Sequence, residues 1–150
     1  MNRSLRLTVL LAATAVAAGA ATLPAVASRD ASPSTLTVRV SDYGQIVFDA
    51  RGRALYAFTR DPRGRSVCTG ACAAAWPPYV IRGRLRAGES TSARLLGTTR
   101  RSDGSRQVTY AGRPLYYYVG DREPGEVRCQ NVFGFDGLWL VVRPNGRLVR

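Results

Sequence analysis

Gly52-Arg53-Ala54-Leu55-Tyr56-Ala57-Phe58-Thr59-Arg60-Asp61 stands again, sixty residues later, as Gly112-Arg113-Pro114-Leu115-Tyr116-Tyr117-Tyr118-Val119-Gly120-Asp121. Gly, Arg, Leu, Tyr and Asp are identical between the two, and Phe58 is answered by Tyr118. Beyond the aspartate, one inserted residue brings Gly64 against Gly125 and Cys68 against Cys129, and each copy then reaches a tryptophan, Trp76 or Trp139. Self-similarity at one offset means that a single supersecondary unit is used twice. Each copy reads as strand, turn, strand. Ile46-Val47-Phe48 enters the turn Asp49-Ala50-Arg51-Gly52 and Ala54 to Phe58 returns; Gln107 to Tyr110 enters Ala111-Gly112 and Leu115 to Val119 returns. Side chains alternate along a strand, so Tyr56 shares a face with Phe58, and Tyr116 with Tyr118.

Working outward, further strands are predicted at Leu36 to Val40, Tyr79 to Ile81 and Leu138 to Val142, with a turn at Pro144-Asn145-Gly146. One short helical turn is predicted near Cys72, over Ala71 to Ala75, stopped by Pro77 and Pro78. The expected fold is mainly β, with two related hairpin repeats (about 43–80 and 106–146) packed as a small sandwich or barrel-like sheet. The tyrosines and tryptophans are expected to fill the interior of so small a sheet protein, although a sugar- or quinone-binding aromatic face is the functional alternative.

The N-terminus reads as an export signal. Arg3 and Arg6 precede an uncharged stretch from Leu7 to Ala27 that ends in Ala25-Val26-Ala27, an Ala-x-Ala cleavage site. Residues 1–27 are therefore expected to be a signal peptide cleaved after Ala27, residues 28–35 a flexible leader, and residues 36–150 the secreted repeat domain. The expected location is the bacterial envelope or exterior.

Of the charged residues 22 are basic and 10 acidic, and every basic residue is Arg. Arg grips phosphate and carboxylate bidentately where Lys is a point charge, although a GC-rich coding sequence accounts for the same bias. Outside the cell, a positive surface points to an anionic envelope component or another envelope protein as partner, with peripheral membrane contact and no nucleic acid. There is no His. Triads, Cys/His pairs, His-based zinc sites and His-ligated haem are thereby excluded, and the lack of Lys excludes Schiff-base chemistry. No cofactor is expected, and the residue set favours a non-enzymatic role.

The motif Tyr-x-aromatic-x-x-Asp stands twice, at Tyr56, Phe58 and Asp61 and at Tyr116, Tyr118 and Asp121. Cys68-Thr69-Gly70-Ala71-Cys72 leads on to Trp76-Pro77-Pro78. In these residues, and over roughly Tyr43 to Gly146, the chain resembles the bacterial secreted repeat of unknown function, a family of predicted lipoproteins. The resemblance implies an exported, envelope-associated protein and supplies no activity. Two features depart from many relatives: the lipid-attachment cysteine is missing, and a third cysteine, Cys129, is present.

Cys68 and Cys72, four residues apart in a helical turn, come within disulfide range. Pairing of Cys129 with either stays open, because the repeat places it where Cys68 stands in the first copy. The spare thiol supports a Cys129-linked dimer or an extracytoplasmic redox or electron-transfer role as the alternative function. Asp61 and Asp121 are expected to accept bonds from the backbone amides that follow them; a cation site or a pair of catalytic carboxylates is the functional alternative. Arg82, Arg84 and Arg86 alternate with Ile81, Gly83 and Leu85, so an extended strand would project all three guanidinium groups from one side as an anion-binding row, or as an ordinary charged edge.

Overall fold

In the computed structural model, residues 35–150 are described; the signal peptide and residues 28–34 of the expected leader lie outside them. Thr35, the last of that leader, is buried, and its backbone and hydroxyl bond the backbone of Arg86.

Each repeat contributes three successive strands and then a tryptophan-bearing segment; the three strands form a full antiparallel meander in the second repeat and a two-stranded ribbon with a loosely joined third strand in the first. The first comprises β1 (Leu36–Ser41), β2 (Gly44–Asp49) and β3 (Tyr56–Phe58), then α1 (Ala71–Ala75). The second comprises β4 (Leu96–Arg100), β5 (Arg106–Tyr110) and β6 (Arg113–Tyr116), then β7 (Val132–Gly134) and β8 (Gly137–Val141). The expected repeats thus each gain a leading strand, β1 and β4. β1 and β2 pair over their whole length; β2 meets the β3 segment through the single bridge Phe48↔Ala54. The second hairpin, β5 with β6, is regular and turns at Ala111-Gly112, where Gly112 takes φ +73°, a conformation open to glycine at little cost.

The expected sandwich or barrel-like closure is resolved as an open six-stranded sheet in the order β4-β5-β6-β3-β8-β7, beside the β1-β2 ribbon. β4 and β7 remain its edges. The two repeats meet in the centre of this sheet, where β3 pairs with β6 and Tyr56 lies opposite Tyr116.

The tryptophan segments are exchanged. β8 of the second repeat pairs with β3 of the first, Trp139 opposite Phe58 and Val141 opposite Tyr56. The equivalent segment of the first repeat runs along the second: Tyr117 N–H donates to the Pro77 carbonyl, Tyr79 N–H to Leu115, and Pro78 bridges Tyr116. The strand predicted at Tyr79 to Ile81 is accordingly a series of single bridges, because Pro77 and Pro78 withhold two backbone donors.

Strict alternation then splits the apolar residues between two cores, one on each face of the sheet. Tyr56, Phe58, Tyr116, Trp139 and Val141 join Ile46, Phe48 and Trp76 on one side; Leu55, Ala57, Leu115 and Val142 join Val47, Val108 and Tyr110 on the other. A strand buried on both faces reads as a continuous apolar run, as Leu138 to Val142 does. Among the described residues no helix is long and apolar enough to cross a membrane.

Candidate functional site

The motif residues form a crossed clasp between the repeats. The Tyr56 hydroxyl donates to Asp121 Oδ2 at 2.7 Å, and the Tyr116 hydroxyl to Asp61 Oδ2 at 2.6 Å. Each carboxylate spends its other oxygen on its own turn, Asp61 Oδ1 accepting from the Val67 N–H and Asp121 Oδ1 from the Arg128 N–H. The expected bonds to following amides therefore form, and the opposite repeat adds the tyrosine. Crossed backbone bonds lie alongside: Gly64 N–H donates to the Gly52 counterpart, Gly112, and Gly125 N–H to Gly52 itself.

Burial and the bond to Asp121 push the Tyr56 hydroxyl far above the ordinary phenol range; burial and Asp61 do the same to Tyr116. Both aspartates are raised because burial outweighs the donors that favour their charged forms. Both oxygens of each carboxylate thus take part in the clasp, one bonded by the opposite repeat's tyrosine and one by a backbone amide of its own turn. Among the described residues no group of three or more His, Cys, Asp or Glu stands together as metal ligands.

Above the clasp the rings alternate between repeats. Phe58 stacks on Trp139 (centroids 4.3 Å, planes 9° apart), Trp139 on Trp76 (3.9 Å, 1°), and Trp76 lies against Tyr118 (4.7 Å). Tyr56 meets Trp76 edge-on at 5.3 Å as Tyr116 meets Trp139 at 5.2 Å. Phe58 corresponds to Tyr118 and Trp76 to Trp139, so the stack has an approximate twofold axis between the indoles. Five of these rings are interior, as expected, while Tyr118 is only partly buried against them; stacking and edge contacts of this kind add to the area they bury.

Cys68 is bonded to Cys72 across 5.3 Å between Cα atoms, the predicted pair. Cys129 is a free, buried thiol. Burial raises it, and a hydrogen bond with the Tyr118 hydroxyl works against that rise.

Arg82, Arg84 and Arg86 are exposed, but no strand forms over 82–86. The chain bends at Arg82-Gly83, the Arg86 backbone bonds Thr35, and only the next residue, Ala87, meets a strand, through a single bridge to Leu36 of β1. The row predicted from alternation is therefore not presented as one strand face: glycine removes the side chain that would pack there, and no long ladder holds the segment extended. Arg82 lines a groove with Arg106, and Asp103 sits in it as well.

Two functional-looking features escaped the sequence reading. Arg101 is buried and knits the disulfide segment to β5, donating to the Ser66 hydroxyl, the Gln107 amide oxygen and the Cys68 carbonyl. Separately, Arg113, Arg143, Arg147 and Arg150 line one cavity. Nothing in the sequence places Arg113 beside residues thirty or more positions later; only the return of the chain after β8 does so.

The family described as a secreted repeat of unknown function matches the chain twice, over residues 37–79 and 97–143. The two matches open within β1 and β4, the first strands of the two repeats, and together take in both motif copies and both tryptophans. No curated protein and no solved structure matches the chain.

Proposed function

The chain belongs to the family of secreted repeats of unknown function, and from that premise we propose that it is a non-enzymatic envelope protein that binds an anionic component through its arginine surface. In this reading the chain is exported with cleavage after Ala27 and works outside the cytoplasm.

One observation carries the reading. Among the described residues only Arg60, Arg101 and Arg128 form ion pairs with carboxylates, so most of the arginines have no internal carboxylate to neutralise them. Meanwhile the groups that could do chemistry are engaged: Asp61 and Asp121 in the clasp, Cys68 and Cys72 in a disulfide. Guanidinium groups that find no internal carboxylate are the natural donors to an external anion. Burial of Cys129 and the upward pull on its thiol weigh against the redox alternative, since the thiolate is the reactive form.

The test is retention on isolated envelope material. The protein is expected to bind anionic polymer fractions at low ionic strength and to be released as salt rises, because screening removes the attraction. Failure to bind any fraction at low salt overturns the proposal.

A further inference from the structure

The repeat symmetry that governs the core fails at one pair of arginines. Arg53 and Arg113 occupy the same place in the two motif copies. Arg53 is fixed: its guanidinium donates to the Asp121 and Tyr118 carbonyls and lies over the Tyr117 ring at 5.1 Å. Arg113 makes no such bonds, although its Nε, like that of Arg53, is buried without a partner. Instead it stands in the wall of a cavity of about 470 Å³ whose lining is Arg113, Arg143, Asn145, Arg147, Leu148 and Arg150.

Four guanidinium groups on one concavity, with no acidic side chain in its lining, repel one another. Burial first, and then the charges of Arg63 and Arg150, lower the pKa of Arg113. The groove at Arg82 differs, since Asp103 offsets its two arginines. The fold maintains the arginine cluster at a defined place: Arg143 and Arg147 flank the tight turn at Pro144-Asn145-Gly146, closed by reciprocal bonds in which Arg143 N–H donates to the Arg147 carbonyl and Gly146 N–H to that of Arg143. Arg113 is held by β6.

We propose that this cavity is a phosphate-binding site, the place where the anionic partner of the reading above is gripped. The ligand class follows from donor geometry. A carboxylate holds its two oxygens in one plane and pairs with a guanidinium fork edge to edge, whereas a phosphate group presents tetrahedrally disposed oxygens that forks from several directions can share. The negative charge of such a group offsets the four positive charges that line the cavity. A phosphodiester polymer and a phospholipid headgroup carry the same chemistry.

The inference rests on the proposed anion-binding function, and calorimetric titration with defined probes separates the two. The probes are a glycerol-phosphate oligomer, a glutamate oligomer of equal charge, and phosphatidylglycerol vesicles. The wild-type protein is expected to bind the glycerol-phosphate oligomer or the vesicles at low salt, and the glutamate oligomer at least about tenfold more weakly. Oligomer binding assigns the polymer source, and vesicle binding alone assigns the headgroup. Arg113→Gln and, independently, the exposed Arg147→Gln should each weaken binding about tenfold, the worth of a charge-assisted bond. Arg113→Gln should leave the urea midpoint unchanged or higher, because it removes a repelled, partly buried charge. The triple variant R82Q/R84Q/R86Q should stay within about threefold of wild type, its charges being screened from the cavity. If the triple variant loses as much as the cavity variants, or the cavity variants lose nothing, the site is elsewhere while the anion-binding function stands. Equal binding of the glutamate oligomer overturns the phosphate assignment. No binding to any probe at low salt overturns both.

Discussion

Replacing Tyr56 with Phe removes one oxygen from the interior and leaves the ring in place, so it measures the clasp almost in isolation. Tyr56 is fully buried and Asp121 is 2% exposed. No water can therefore take over the 2.7 Å bond to Asp121 Oδ2. A hydrogen bond to a charged acceptor contributes about 1.5–3 kcal/mol, and a buried acceptor left alone adds its desolvation cost. Asp121 keeps its bond from the Arg128 N–H and can take up a proton, which limits the damage. The expected loss is about 2 kcal/mol, or roughly 8 °C in Tm for a domain of this size. Tyr116→Phe should cost less, about 1 kcal/mol, because Asp61 is only partly buried and water can reach it. Urea unfolding at unchanged m reports both. A double-mutant cycle of Tyr56→Phe with Asp121→Asn should show coupling of about 1 kcal/mol or more. If Tyr56→Phe leaves the urea midpoint within about 0.5 kcal/mol of wild type, the crossed bonds do not hold the repeats together and the reasoning fails.

Asp61 and Asp121, raised above the usual carboxylate value, bind protons more readily folded than unfolded, so their contribution is present at low pH and is lost as pH rises through their folded pKa values. Between about pH 4 and 7, the slope of stability against pH should be more negative for wild type than for D61N/D121N, and equal slopes would contradict this. Glu126, held near 2 first by Arg128 and then by two backbone amides, has the opposite sign, its contribution being lost only as pH falls toward that value. The Cys129 thiol should resist alkylation in the native protein and react once the chain is unfolded, as mass spectrometry after iodoacetamide would record; rapid native labelling would restore the redox alternative. The Cys68–Cys72 disulfide closes a loop of few residues, so reducing it should cost about 2 kcal/mol in urea titrations, with the fold retained.

The duplication was plain in the residues because both copies keep the same turn glycine, the same tyrosine and the same aspartate. The Ala-rich turn at α1 was legible too, bounded by Pro77 and Pro78. That the tyrosines meet the aspartates at all was not, since Tyr56 lies sixty-five residues from the Asp121 it bonds. Only the pairing of β3 with β6 brings them together. β4 escaped notice because Leu96-Gly97-Thr98-Thr99-Arg100 has one large apolar residue and a glycine, so alternation is absent. The Arg82, Arg84 and Arg86 row failed for the converse reason, an alternating pattern tied to strands only at its ends, by Ile81 to β5 and by Ala87 to β1. The arginine cavity was illegible because its members come from β6 and from the chain after β8, elements whose adjacency is a property of the exchanged topology.

Interlocking of the repeats is tested most directly by cutting the chain at the exposed Glu89-Ser90 turn, between the two repeats, and following near-ultraviolet circular dichroism of the halves. Since each half lacks the other's tryptophan segment and clasp partner, neither should show ordered aromatic signals alone, and mixing them should restore the spectrum of the intact protein. A half that unfolds cooperatively by itself, with its own tyrosine bonded to its own aspartate, would contradict the account.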